Sequence, residues 1–194
     1  LRCGTYLEIT MTTIFVAGSI TIKELDALII ERLKKIVDKK YRVVVGDANG
    51  VDSSVQRALI ALNCETTTVF SSSPKPRNNL GAWPVNVVKT DYKRGTREFY
   101  TAKDIQMAEH ADCGLMVWDC KSPGTLNNVV ELLLRNKYSV VFVNKMRDFI
   151  KVKTPDDIDT LIKMMKTTDL EKAEDKISLS GKLARLKNNQ MSLL

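Results

Sequence analysis

Glycine and small polar residues gather in three short loops, each placed directly after a run of apolar residues. The loops are Gly18-Ser19, Gly46 to Asp52, and Asp119 to Thr125. Glycine allows tight turns and positive φ, so that successive backbone N–H groups can face one anion. A helical pattern opens at Thr125, and a helix N-terminus adds unpaired N–H groups and partial positive charge. We therefore expect a phosphate-binding floor made of Gly18, Ser19, Gly46, Asn49, Gly50, Gly124 and Thr125.

Side chains in and near these loops suit the other parts of a nucleotide. Arg77 lies in a long polar loop, residues 71–83, and its guanidinium can bind a phosphate in bidentate fashion. The same residue types have ordinary structural uses, and Asp52 at a helix start equally fits a helix cap. The expected sugar contacts are Asp47 or Asp52 and Asn127 or Asn128. Further candidates around the start of a later helix are Arg94, Arg97, Tyr100, Lys103 and Asp104.

Two carboxylates are the candidates for catalysis, if the chain is an enzyme. Asp119 follows an apolar run, and Glu131 lies in the next helical pattern. A carboxylate can act as a base or a nucleophile, whereas His110, the single histidine, has no evident partner in the sequence. The cysteines lack C-x-x-C spacing, so no metal site and no disulfide framework is predicted, and no cofactor is predicted either.

Strand and helix patterns alternate along the chain and must position these loops. Near-continuous apolar runs predict buried strands, and apolar residues at helical spacing follow most of them. This alternation predicts an α/β fold, a Rossmann-like doubly wound and mainly parallel sheet with helices on both faces. Ligands of such sheets bind at the carboxyl ends of the strands, so the three loops should converge on one cleft. The predicted strands are 12–17, 41–45, 66–70, 85–88, 113–118 and 139–143, with an edge segment at 149–152.

Local signals predict where some helices and domains begin and end. Residues 21–24 match a capping box, and Pro155 follows Thr154 as the first residue of another helix. Residues 1–10 precede Met11 and are interpreted as a non-native or disordered extension. We expect a single domain over residues 11–166. Residues 167–194 are charged, without a clear apolar face, and predict a weakly helical or mobile tail.

Charge and hydropathy limit the class of partner. A formal charge of +7, from 30 Lys and Arg against 23 Asp and Glu, suits a polyanionic ligand. The excess is scattered, with no block of five or six like charges, which favours a solvated surface over a dedicated nucleic-acid interface. No apolar run approaches the roughly 18 residues that span a bilayer, so we expect no membrane partner and a cytoplasmic protein.

Two of the loops resemble known motifs. Gly46-Asp47-Ala48-Asn49-Gly50-Val51-Asp52 is similar to the GGAxGxD loop of the SLOG superfamily, the Rossmann-like group that includes DprA, YspA-like proteins and LOG phosphoribohydrolases. Residues 123–128 resemble the second motif, PGGxGTxxE, which nucleoside deoxyribosyltransferases also approximate. The resemblance spans residues 12–144. It implies a nucleotide-type ligand and a homo-oligomer.

The sequence departs from the second motif at a catalytic position. In LOG enzymes a glutamate three residues after the motif threonine serves catalysis, and here Asn128 takes that place. Asparagine can hold a hydroxyl or a phosphate, but it cannot act as a carboxylate base or nucleophile. The primary expectation is therefore a protein that binds a nucleotide or a nucleotide-derived small molecule.

Two alternative functions stay open. The first is a nucleoside 5′-monophosphate N-glycosidase or deoxyribosyltransferase in which Asp119 or Glu131 replaces the missing glutamate. The second is single-stranded nucleic-acid binding of the DprA kind, which the basic charge and the first motif suggest.

Overall fold

The structure is a computed structural model that describes residues 11–191; the predicted extension, residues 1–10, lies outside the described residues. Seven strands and seven helices are described. The strands are β1 (Thr13–Gly18), β2 (Arg42–Gly46), β3 (Thr67–Ser71), β4 (Val85–Val87), β5 (Cys113–Trp118), β6 (Ser139–Val143) and β7 (Asp148–Val152). The helices are α1 (Ala27–Asp38), α2 (Val51–Ala61), α3 (Arg97–His110), α4 (Pro123–Leu133), α5 (Pro155–Ile162), α6 (Thr167–Ile177) and α7 (Leu179–Met191).

The strands form one sheet in the order β4-β3-β2-β1-β5-β6-β7. Strands β1 to β6 run parallel, and β7 is an antiparallel edge strand beside β6. The order reverses between β1 and β5, which is the position where doubly wound sheets bind ligands. The predicted α/β class, Rossmann-like and doubly wound, is confirmed.

Alternation along the central strand β1 builds a core on each face of the sheet. Ile14 and Val16 join the apolar residues of α1 and α2. Phe15 and Ala17 join a second core that includes residues of α3 to α7. Successive strand side chains point to opposite faces, so a single short strand supplies both cores.

The start of α1 differs from the sequence prediction. The helix begins at Ala27, and the side chain of Asp26 accepts a 3.0 Å hydrogen bond from the Leu28 N–H. The predicted capping box at residues 21–24 was therefore wrong, because the Thr21 hydroxyl instead donates to Asp119 Oδ2 at 2.7 Å. The start of α5 is confirmed, since Thr154 and Asp157 form a capping box ahead of Pro155.

The segment predicted as a weakly helical or mobile tail forms two helices, α6 and α7, as far as Met191. Helix α6 packs against α4, and α7 packs against α4, α5 and α6. Four apolar residues of this segment are buried, although their spacing shows no clear apolar face in the sequence: Ala173, Ile177, Leu179 and Leu186. Ser178 joins the two helices with a φ of 49°, a left-handed conformation that ends α6. No helix within residues 11–191 is long and apolar enough to cross a bilayer.

Strands β1 and β5 approach closely where β1 ends. A Cβ atom built on Gly18 would lie 2.2 Å from the Val117 carbonyl oxygen and 2.8 Å from a methyl group of Val51. The next residue, Ser19, donates its N–H to the same carbonyl at 2.9 Å. Gly18 is therefore required by the space between the two strands and α2.

We predict that Gly18→Ala lowers the free energy of unfolding by roughly 1–3 kcal/mol, because the added methyl must displace backbone or a packed Val51. Urea denaturation monitored by circular dichroism would measure it. The matched control is Gly181→Ala in α7, where an added Cβ meets nothing within 4 Å. That variant should gain roughly 0.5–1 kcal/mol from helix propensity, and equal losses in both would contradict the steric explanation.

Candidate functional site

An open cleft of 530 Å³ lies at the carboxyl ends of β1 and β5, where the strand order reverses. Its walls come from the loops after β1, β2, β3 and β5 and from helices α3, α4 and α6. Six cationic side chains line it against three carboxylates. Of the predicted site residues, Asp119, Arg77 and Gly124 line this cleft.

The predicted glycine floor is mostly buried in the protein. Ser19 and Thr125 are buried, and their hydroxyl oxygens lie 3.3 Å apart. Gly50 has a φ of 78°, and a Cβ there would lie 2.3 Å from the Ile20 carbonyl oxygen. These residues close the base of the cleft by packing against one another. Gly124 differs, because a Cβ there would meet nothing nearer than 3.9 Å.

Hydrogen bonds hold Asp119 in a fixed position directly after the carboxyl end of β5. Its Oδ1 accepts hydrogen bonds from the backbone N–H groups of Lys121 at 2.9 Å and Ser122 at 2.7 Å. Its Oδ2 accepts the Thr21 hydroxyl. Partial burial alone would raise the pKa of Asp119, but these hydrogen bonds outweigh burial and hold its pKa below the ordinary value. Asp119 therefore presents an ionised carboxylate to the cleft.

Asp47 and Arg77 form an ion pair that fastens the long loop after β3. Arg77 donates Nη2 to Asp47 Oδ1 at 2.7 Å, and its backbone N–H and Nε donate to Oδ2. The Ser71 hydroxyl also donates to Oδ2. Asp47 is buried and its oxygens are occupied, so the structure places it as an anchor of the loop rather than at the cleft surface. Asn49 is exposed nearby and accepts a hydrogen bond from Asn78.

A buried lysine connects α3 to the second loop. Lys103 Nζ lies 2.7 Å from Asp104 Oδ1 and 3.8 Å from Asp52 Oδ2, and Asp52 and Lys103 are both buried. Burial raises the pKa of Asp52 to about 6, although the ammonium of Lys103 opposes that shift. Burial also disfavours the charged form of Lys103, but Asp104 and Asp52 outweigh it and raise the pKa of Lys103.

This cluster accounts for Gly46. A Cβ on Gly46 would lie 2.3 Å from Asp52 Oδ2 and 2.4 Å from Lys103 Nζ. The first glycine of the second loop, Gly46, therefore makes room for a buried ion pair, and it faces that pair instead of a ligand.

Three predicted residues of α4 lie outside the cleft lining. Glu131 pairs with Arg135 at 2.7 Å and with Lys182 of α7 at 2.6 Å. Burial alone would raise the pKa of Glu131, but the contacts with Lys182 and Arg135 outweigh burial and hold that pKa below its ordinary value. Asn127 accepts a hydrogen bond from the same Lys182, and Asn128 is buried with its Oδ1 unpaired. A catalytic role would require Glu131 to face the cleft, but its side chain is not among the residues that line it.

The cationic side chains that share the cleft with Asp119 are only partly predicted by the sequence. Arg97 lines the cleft with Lys121, Lys172 and Lys176. Lys172 pairs with Asp169 at 3.4 Å, whereas Arg97, Lys121 and Lys176 make no ion pair with any residue from 11 to 188. Burial lowers the pKa of Arg97. The three lysines carry no signal in the sequence, because their role follows from the packing of α6 against α4 and from the turn after β5.

Neither metal-ligand clustering nor comparison with known proteins singles out a ligand. In the described part of the chain no group of three or more His, Cys, Asp or Glu side chains could hold a metal ion. Comparisons with protein-family profiles, curated proteins and solved structures gave no significant match. The cleft itself therefore carries the functional proposal.

The buried carboxyl group of Asp52 leads to a prediction about pH. Its pKa is about 6 in the folded chain against 3.8 for a free carboxyl group, so between those values the folded state binds more protons. This group alone makes the free energy of unfolding fall as pH rises from about 4 to 6.

We predict that the stability of the wild type relative to Asp52→Asn declines by roughly 1–3 kcal/mol as pH rises from about 4 to 7, because asparagine does not titrate. Urea denaturation over this pH range would measure the difference. Asp175→Asn, at an exposed position of α6, is the control and should run parallel to the wild type. Parallel curves for Asp52→Asn as well would contradict the elevated pKa.

Proposed function

We propose that the protein binds a nucleotide or a nucleotide-derived small molecule in the cleft at the carboxyl ends of β1 and β5. The observation that carries the proposal is an excess of cations, three of them (Arg97, Lys121 and Lys176) without an ion-pair partner in the described chain, beside the N-terminus of α4. A volume of 530 Å³ lies within the roughly 300–1,000 Å³ typical of small-molecule sites.

The phosphate is assigned to the α4 side of the cleft. Pro123 is the first residue of α4 and carries no N–H, so the N–H of Gly124 is the first that the helix can offer to an anion. Lys121, Arg97 and Lys176 line the same cleft and supply charge. Asp119 supplies a hydrogen-bond acceptor for a sugar hydroxyl.

The motif resemblance supports the same class of ligand. The two SLOG-like segments flank the cleft at the end of β2 and at the start of α4. Following the same resemblance, we propose a homo-oligomer, and following the hydropathy of the sequence, a cytoplasmic location. Nucleic-acid binding is less well supported, because the unpaired cations lie inside a concave cleft and do not form an open stripe.

We predict that nucleoside phosphates raise the melting temperature of the wild type, and that the double variant Arg97→Gln/Lys176→Gln loses roughly tenfold or more in affinity, because charge-assisted hydrogen bonds to phosphate are strong. Thermal shift and calorimetry with nucleoside mono-, di- and triphosphates would measure both. Lys163→Gln/Lys187→Gln removes the same charge from exposed positions outside the cleft. No shift with any nucleotide at millimolar concentration would refute the proposal.

A second candidate function is hydrolysis of the N-glycosidic bond of a nucleoside 5′-monophosphate. The observation that favours it is the ionised carboxylate of Asp119, fixed by three hydrogen bonds at the cleft. A carboxylate so placed can stabilise the positive charge that develops on the sugar as the bond to the base breaks.

If this activity is present, Asp119→Asn should abolish release of free base from nucleoside monophosphates while leaving nucleotide binding within a few fold. Chromatography of the free base would measure release, and Asp175→Asn should retain full activity. Binding without base release in the wild type would assign the cleft to binding alone.

A further inference from the structure

A second cavity, of 290 Å³, opens at the amino-terminal end of the sheet, opposite the nucleotide cleft. It lies between the second half of α1 and the first residues of β1, β5 and β6. On this face the described core draws helical residues from α1 and α2 only, although the sheet extends past β5 to β7. The cavity therefore lies along the side of α1, where the adjoining part of the sheet has no other helix from residues 11–191 in its core.

The floor of this cavity is apolar. Ile14, Leu115 and Val140 contribute from three neighbouring strands, and Ile36 contributes from α1. Ile14, Ile36 and Leu115 also belong to the core of this face and are held rigidly by it. Apolar surface of this kind favours the hydrocarbon part of a ligand over water.

The rim of the cavity is cationic without compensating carboxylates. Arg32, Lys35 and Lys39 line it, no Asp or Glu lines it, and none of the three makes an ion pair with a residue in the described chain. Two of them lie over aromatic rings instead: Arg32 is 4.6 Å from the ring centre of Phe149, and Lys39 is 5.7 Å from that of Tyr41. Cation–π contacts hold the side chains in place but leave their charge unneutralised.

We propose that this cavity binds a small amphiphilic carboxylate, such as a medium-chain fatty acid, with its hydrocarbon tail on the floor and its carboxylate at the rim of α1. The cationic rim complements the charge of a carboxylate, and the apolar floor of a 290 Å³ cavity has room for a short hydrocarbon tail. A second copy of the chain fits less well, because a two-fold contact would bring the same cationic rim against itself. This site is independent of the nucleotide proposal.

Equilibrium dialysis with radiolabelled octanoate tests the proposal on the full chain. We expect one saturable equivalent per chain, with affinity that falls as salt rises. Unlabelled acetate, which lacks the tail, and 1-octanol, which lacks the charge, should compete much less well than unlabelled octanoate. No saturable binding at millimolar octanoate would overturn the proposal.

The double variant Lys35→Gln/Lys39→Gln should weaken octanoate binding about fivefold, because two exposed charges each contribute modestly. Lys34→Gln/Lys163→Gln is matched in charge, is exposed and does not line the cavity, so its affinity should equal that of the wild type. Equal weakening in both pairs would overturn the assigned location.

Two further readouts separate this site from other occupants. A nucleoside monophosphate that displaces octanoate would move the octanoate site to the cleft and refute a separate cavity. Light scattering that shows an oligomer dissociated by octanoate would assign the cavity to a second copy of the chain. An unchanged mass, together with binding that nucleotides leave intact, is the expected result.

Discussion

The hydroxyl group of Ser19 joins the three segments on which the cleft depends. It contacts the Thr125 hydroxyl of α4 at 3.3 Å and accepts the Asp119 N–H at 3.1 Å, while the Ser19 N–H binds the Val117 carbonyl of β5. The end of β1, the end of β5 and the start of α4 are thereby held at fixed distances. Because these polar groups satisfy one another, the base of the cleft is closed, and the groups that remain open to the cleft lie in its walls.

The second constraint is electrostatic and concerns Lys103, a buried side chain in the wall of the cleft. Lys103 brings a full positive charge into the protein, and this is tolerated because Asp52 and Asp104 surround it. Gly46 lacks the side chain that would fill the same space. A glycine that resembles part of a phosphate loop is therefore explained by a lysine 57 positions later in the chain. Gly46 lies where the motif has a glycine, but the space that it leaves open is taken by Asp52 and Lys103.

The pattern of apolar residues along the chain predicts the strands of the fold, but it does not predict the contacts between residues of the candidate site. The predicted strands at 113–118 and 139–143 match β5 and β6, because buried parallel strands leave unbroken apolar runs in the sequence. Partners across the sheet have no such local signature. Ser19 and Thr125 are 106 residues apart, and nothing in the sequence around Glu131 indicates that Lys182, 51 residues later, pairs with it. Contacts of this kind depend on strand register and helix packing, which one sequence does not encode locally.

The C-terminal helices α6 and α7 help to form the cleft and its supporting contacts. Asp169, Lys172 and Lys176 of α6 line the cleft, and Lys182 of α7 fixes Asn127 and Glu131 of α4. A boundary at residue 166 would remove two of the six cations and leave the Glu131 carboxylate with Arg135 alone. It would also remove Ala173 and Ile177 from the core to which Leu126 and Val129 of α4 belong. The cleft therefore requires residues well beyond the region that resembles SLOG proteins, and its charge is set by helices outside the strand and loop motifs.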